Sequence, residues 1–442
     1  MPLEHLEHAV LEPLARPLES PPMPPEVPFK SAFLRTMRDR GYIHQITHPD
    51  ELDAAACTGV VTAYIGFDAT AASLHVGHLI QVMMLRRLQQ AGHKPIVVMG
   101  GGTTKVGDPT DKDGQRPLLT HDQIQANIAT IKGTFERFLS FGDGPTDAVM
   151  VDNDAWLSRF GYVQFLRDYG VHFTINRMLA FDSVKARLDR EQPMTFLEFN
   201  YMLMQSVDFL ELERRYDCRL QMGGSDQWGN IVNGVELIRR VDQKASFGLT
   251  TPLLSTASGQ KMGKTVGGAV WLNADMRSPY DYWQFWRNTE DADVGRFLKL
   301  FTDLPLNEVA RLEGLPGAEI NEAKERLADE ATILLHGASE AIEAKAKSRR
   351  VHSEGKIAET LEIIEFEWGD FEKRTGAALV KAAGLANSVK EANVLISNGN
   401  VTVNTQVAMP GQTYSQSDVA PDTGVFVIQV GKKRIMHLKP LS

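Results

Sequence analysis

Two hydrophobic periods alternate along the first 250 or so residues of the chain. Val60 to Gly66 is an apolar, β-branched run bounded by Gly59 and Gly66, which predicts a buried strand over 60–67. Directly after it Leu79, Met83, Leu85 and Leu88 recur at helical spacing until Gly92, predicting a helix over 76–91 with Gly92 at its C-terminal cap. Lys94 to Gly100 is the next strand. A helix over 121–139 opens at Thr120 with Gln123 three residues on, a capping box, and Ala148 to Val151 is a further strand ending in Asp152. A short amphipathic helix, Phe33 to Arg40, opens the ordered part. Strand–helix–strand repeats of this kind predict an α/β fold with a parallel, doubly wound sheet and ligands bound beyond the C-terminal ends of its strands.

A helix expected from Phe196 to about Glu213 begins with another capping box, Thr195 and Glu198. Tyr201, Gln205 and Asp208 lie at i, i+4 and i+7, hence on one face. Such a polar stripe usually faces water, but Phe199, Leu203, Met204 and Leu210 flank this one, so a lined pocket is expected. Leu220 to Met222 leads through Gly223 and Gly224 to a helix near Asp226, a second strand-to-helix turn. After residue 266 the pattern is helical to about 350, starting with Ser278 as cap and Pro279 in the first turn. Residues 351–375 are charged with little periodicity. From Gly376 come short helices, then hairpin patterns at Val401–Val403 and Val425–Val430 before Gly431. The expected division is a Pro-rich disordered extension over 1–30, a Rossmann-like domain over 31–255, an α-helical domain over 256–350, a linker over 351–375 and a small α+β domain over 376–442.

Composition narrows this only a little. The 442 residues leave room for about two or three domains of roughly 150 residues. The hydrophobic fraction of 43% is enough to build real cores, while no apolar run approaches the roughly 18 residues of a membrane span. The extension is too acidic for a transit peptide and lacks the core of a signal peptide. Two distant cysteines fit a reducing cytosol better than a disulfide framework, so a cytoplasmic protein is expected. A net charge of -9 means that any nucleic-acid contact must come from local basic patches.

The candidate chemistry centres on the turn from Phe67 to His78, between the first strand and its helix. Backbone N–H groups and the helix dipole favour an anion there. His75 and His78 stand at its mouth with Gly77 between them, where the missing side chain lets a ring or phosphate approach the backbone. Alone, a His-x-x-His pair could be a metal site or two surface histidines, and the metal version is weak because Cys57 and Cys218 offer no paired ligand spacing. A second signal lies downstream: Lys261 and Lys264, three apart on a Gly-rich loop, form a mobile cationic clamp.

These two motifs resemble the HIGH and KMSKS signatures of class I aminoacyl-tRNA synthetases. More closely, Tyr64–Asp68, Gly107-Asp108-Pro109, Tyr201–Gln205 and Gln221–Gly229 resemble bacterial tyrosyl-tRNA synthetases, and the likeness runs from about Phe33 to the C-terminus. The tail resembles an S4 RNA-binding domain, with Asn393 and Val394 in place of the usual arginines. The resemblance implies a tyrosine–tRNA ligase that uses ATP with substrate-bound Mg2+, holds no metal of its own, charges tRNA(Tyr) and forms a homodimer. It implies catalytic roles for His75, His78, Lys261, Lys264, Lys112 and Arg116. Asp108, Tyr201 and Gln205 would hold the substrate ammonium, Tyr64 and Asp208 the phenolic hydroxyl, with Gln221 in the same pocket. Gly66, Asp68, Gly77, Gly224, Asp226, Gln227, Lys264 and Thr265 would line the ATP and adenylate side.

Amino-acid activation suits such a set. The attacking carboxylate is already ionised, so positioning and neutralisation of phosphoryl charge matter more than a general base. Two other enzymes fit parts of the pattern, a tryptophan–tRNA ligase and a HIGH-type nucleotidyltransferase, as does a non-catalytic RNA-binding protein using only the tail. Tryptophan is disfavoured by Tyr64 and Asp208, because indole offers one donor and no acceptor. The helical domain and tail would be superfluous to a small-molecule enzyme, and the His75, His78, Lys261 and Lys264 set to a pure RNA binder.

Overall fold

The computed structural model describes residues 28–108, 119–259, 262, 264–265, 268–353, 363–369, 373–419, 424–431 and 434–441. The chain divides into two compact units, one up to Ala341 and one from Ile342.

Six strands form the first unit's sheet: β1 (Gln45–Ile46), β2 (Thr62–Phe67), β3 (Lys94–Met99), β4 (Val149–Asp152), β5 (Cys218–Gly224) and β6 (Phe247–Thr251). Their order is β1-β6-β5-β2-β3-β4, parallel throughout except for β1 on β6. The chain winds outward from β2 through β3 to β4, then returns to the other side of β2 for β5 and β6. The winding reverses between β2 and β5, and that is where open α/β sheets leave a crevice for ligands. Tyr64 of β2 is in register with Gln221 of β5 across this junction.

One sheet face packs on the helices Tyr201–Tyr216 and Trp228–Val241, through a core that includes Tyr64, Val98, Val207, Phe209 and Ile238. The helix Val76–Gln90 buries Leu79, Val82, Met83, Leu85 and Leu88. The helix expected as one rod from Phe196 is two pieces, Phe196–Phe199 and Tyr201–Tyr216. The break falls at Asn200, whose side-chain amide donates to the Phe196 carbonyl at 2.7 Å and so competes with the helix's own ladder.

After β6 come two short strands, β7 (Lys264–Thr265) and β8 (Gly268–Ala269), paired antiparallel. The helices Pro279–Arg287, Val294–Phe301, Leu306–Glu313 and Ile320–His336 follow, with Trp283 and Trp286 fully buried among them. Arginines fasten this helical part to the sheet. Arg86 and Arg87, near the end of the helix Val76–Gln90, both pair with Asp303, while Arg40 donates to the carbonyls of Lys299, Thr302 and Leu304. Despite partial burial, those guanidinium bonds hold the Asp303 carboxyl down at about 2.

The second unit carries β9 (Ile363–Glu367), β10 (Lys373–Thr375), β11 (Val401–Val403), β12 (Gln406–Val407), β13 (Thr413–Ser415), β14 (Phe426–Val430) and β15 (Arg434–Leu441). Five of them form a sheet ordered β12-β11-β14-β15-β9. Leu379, Val380 and Ile396 from two short helices pack on Phe426, Ile428 and Leu438, and Trp368 stacks on Phe426 at 5.7 Å. The stretch expected as a linker therefore contains strand β9, parallel to β15. Only Ile364 and Phe366 turn partly inward and the charged Glu365 and Glu367 face outward, which makes a solvated edge strand look like a charged connector.

Candidate active site

The helix Val76–Gln90 has no serine, threonine, aspartate or asparagine at its N-cap. Imidazoles take that place: His75 Nδ1 accepts the Gly77 N–H at 3.0 Å, and His78 Nδ1 accepts the His75 N–H at 3.2 Å. This is a capping box made from two histidines, their ring centroids 3.9 Å apart. Because each Nδ1 is an acceptor, each ring carries its proton on Nε2. The pair thus presents two N–H groups where the helix dipole already favours an anion. A Cβ on Gly77 would stand 2.7 Å from His75 Cε1 and 2.9 Å from its Nδ1. Glycine is required there by the capping ring itself, a tighter reason than the open approach expected from sequence.

The lysine motif comes to this turn through its backbone. Val76 N–H donates to the Val270 carbonyl and Leu272 N–H to Leu74, both at 2.9 Å, with His75 and Trp271 as bridge partners. The Met262 carbonyl lies 3.4 Å from the position of a Gly77 Cβ. Lys264 and Thr265 form β7 beside this junction. Lys261, Lys112 and Arg116 lie outside the described residues, and for Lys264 and Thr265 the description extends only to the backbone.

The other sequence-predicted residues gather around the ends of β2 and β5. Asp68, one residue past β2, accepts from Thr103 Oγ1 at 3.1 Å and from the Tyr201 hydroxyl at 3.5 Å. Asp108 accepts from Gln227 Nε2 at 2.8 Å, and Asp226 stands over Gly224. Gly66 leaves open space where a side chain would be.

At the bottom of the group Asp208 is buried, with Trp156 Nε1 donating to Oδ1 at 2.7 Å and Asn153 Nδ2 to Oδ2 at 2.8 Å. Burial outweighs those bonds and lifts its carboxyl to about 7. The Tyr64 phenol is pushed well above its usual range, first by burial and then by the Asp208 charge. Among the described residues its hydroxyl has no hydrogen-bond partner, and neither have Gln205 Oε1, Gln221 Oε1 and Gln81 Oε1. A buried polar atom left unpaired costs about 1–3 kcal/mol. Several beside one crevice fit a site whose bonds are completed by a polar ligand.

Sequence reasoning missed Asn153, Trp156, Thr103, Gln81 and Trp271. Asn153 and Trp156 had one signal, their position just past the end of β4; Gln81 lay inside a run that read as ordinary helix, and Trp271 in the stretch after residue 266 that was expected to be helical.

These elements, a doubly wound sheet with a histidine-capped helix at its first turn and a lysine-bearing hairpin beside it, suit an enzyme that activates an acid with a nucleotide. The model of the class I tRNA synthetases (W and Y) matches residues 57–353, well over half of the sequence, and the chain belongs to that family. A tyrosine–tRNA ligase of Caulobacter sp. (strain K31) is 67% identical over 416 residues, covering 93% of this chain and 99% of that protein. That of Zymomonas mobilis subsp. mobilis is 62% identical over 381 residues, or 86% and 92%. Among solved structures, a C-terminally truncated Aspergillus nidulans mitochondrial tyrosyl-tRNA synthetase matches with a TM-score of 0.65 at 30% identity, over 73% of this chain and 94% of that one.

Proposed function

We propose that this protein activates L-tyrosine with ATP and transfers the tyrosyl group to the 3′ end of tRNA(Tyr). The observation that carries the tyrosine reading is the buried Tyr64 hydroxyl, unpaired among the described residues, beside the buried Asp208 carboxylate. A substrate phenol can donate to Asp208 and accept from Tyr64, and each carboxylate oxygen, with one bond already made, has a lone pair to spare. Indole could only donate, and phenylalanine could do neither.

In the first half-reaction a carboxylate oxygen of tyrosine attacks the α-phosphorus of ATP, the bond to the bridging oxygen breaks, and pyrophosphate leaves with its electron pair. Mg2+ enters with the nucleotide. His75 and His78 would offer their Nε2–H groups to phosphate oxygens, while Lys264, with Lys261, Lys112 and Arg116, would meet the departing charge. Asp108, Tyr201 and Gln205 would hold the ammonium group, with Gln221 completing the tyrosine pocket. Gly66, Asp68, Gly77, Gly224, Asp226, Gln227 and Thr265 would lie along the adenylate. In the second half-reaction a ribose hydroxyl of the tRNA attacks the adenylate's carbonyl and AMP leaves. Residues 256–350 would contact the anticodon arm and 376–442 would act as an S4-like RNA clamp through Lys381, Lys390, Arg434 and, outside the described residues, Lys432 and Lys433. The reaction would run in the cytoplasm, where two free thiols, Cys57 and Cys218, are stable.

A homodimer is supported by exposed apolar side chains concentrated in one stretch of sequence: Tyr162, Val163, Val171, Ile175, Phe196 and Leu197. Phe196→Asp should then convert a sedimenting dimer to monomer; a wild-type monomer would refute this part. The activation itself is tested by ATP–pyrophosphate exchange with each of the twenty amino acids. Exchange should depend on tyrosine, and exchange driven by tryptophan instead would overturn the reading.

A further inference from the structure

Asp293 stands at the N-cap of the helix Val294–Phe301, a position where an aspartate ordinarily bonds its own helix. Here it makes no capping bond. Its carboxylate is buried and turned outward from the helix: Oδ2 accepts the Ala257 N–H at 2.7 Å, and Oδ1 accepts from Arg296 at 2.6 Å. Arg296 donates in turn to the Ser255 carbonyl, and Ser258 Oγ donates to Glu290 at 2.7 Å. Apart from the Asp293–Arg296 pair itself, each of these bonds falls on residues 255–258, the backbone that leads into the lysine motif.

The opposite end of the same helix is also tied. Arg40 and Arg87 hold the carbonyls of Lys299, Thr302 and Leu304, and Asp303 is paired to Arg86 and Arg87. Arg86 and Arg87 belong to the helix that begins with the two histidines. The helix Val294–Phe301 is therefore a strut, held at one end by the entry to the lysine segment and at the other by the far end of the histidine helix. The exit of the lysine segment, Val270–Leu272, closes the frame on Leu74 and Val76.

We infer that Asp293 and Arg296 are positioning residues for the activation step, fixing the lysine segment relative to the histidine pair without touching substrate. This rests on the activity proposed above. A displacement of about 1 Å can cost on the order of a hundredfold in rate when charge must be met in one geometry. Tyrosine binds at the other end of the crevice, at Tyr64 and Asp208, so its affinity should not follow.

The test is steady-state pyrophosphate exchange by full-length wild type, Asp293→Ala, Asp293→Asn and Arg296→Met, with tyrosine and ATP varied separately and tyrosine binding measured at equilibrium. Asp293→Ala and Arg296→Met should lower kcat about tenfold or more while KM for tyrosine stays within about twofold, the pattern of an interaction felt in the transition state. Asp293→Asn, which keeps an acceptor for Ala257, should recover most of the rate. Full activity in Asp293→Ala and Arg296→Met would overturn the inference. So would a parallel loss of tyrosine affinity, or an Asn variant no better than Ala. Retained tyrosine binding shows that each variant folds; should Asp293→Ala not fold, Arg296→Met decides. A wild type without tyrosine-dependent exchange would instead bring down the proposed activity, and the inference with it.

Discussion

Burial raises the Asp208 carboxyl to about 7 even though Asn153 and Trp156 both donate to it. Its unfolded value is the ordinary 3.8, so the folded state holds a proton that the unfolded chain releases. Its contribution to stability is fully present below 3.8 and is lost as pH rises through about 7. Asp208→Asn removes that titration, so the stability difference between wild type and variant should move against the wild type by a few kcal/mol over this window. Urea unfolding of both proteins from pH 4 to 8 measures it, and parallel profiles would show that Asp208 titrates normally.

In the proposed reaction the same residue and Tyr64 set the selectivity. Tyr64→Phe or Asp208→Asn should each reduce discrimination between tyrosine and phenylalanine by about 1–3 kcal/mol, the worth of one buried partner. The check is the ratio of exchange kcat/KM for the two amino acids; an unchanged ratio in both variants would remove these residues from hydroxyl recognition. The burial of Tyr64 and Asp208 was legible because a polar residue inside an apolar run stands out in sequence. Asn153 and Trp156, which hold Asp208 in place, were not, because they arrive from the end of another strand and their role exists only in the folded chain.

At the scale of elements, the turn after β2 was legible almost entirely. Strand period, helix period and a glycine between two histidines are local signals, and the helix begins at Val76 as expected. What the spacing could not reveal is that the histidines cap the helix with Nδ1 and so carry their protons on Nε2. This makes Gly77→Ala a sharp probe. The added methyl collides with the His75 ring, so the cap must open and the donors must turn. Adenylate formation should slow by about tenfold or more while tyrosine binding is retained, and rapid-quench single-turnover kinetics separates the two. An unchanged rate constant would mean that the histidine geometry is immaterial to the step. Where elements were misjudged, polar side chains were the cause: Asn200 bonds the Phe196 carbonyl and interrupts the helix, and strand β9 turns its charged residues outward.

At the scale of the molecule, the division after Ala341 gives the RNA-binding proposal a clean test. The second unit has its own core and sheet, and β9 belongs to that sheet, so the cut must precede Ile363 and not fall at Gly376. Deleting residues 354–442 should leave tyrosine-dependent exchange nearly intact and strongly reduce transfer to tRNA. Transfer by the full chain should weaken steeply with salt, since the basic side chains must displace counterions from RNA. Equal charging by truncated and full-length protein would deprive the tail of this role. The most direct measurement of the whole account is ATP-dependent charging of total bacterial tRNA by the full chain, with labelled tyrosine, phenylalanine and tryptophan in parallel. Tyrosine alone should become esterified to RNA. Tryptophan charging, or no charging with any of the three, would contradict it.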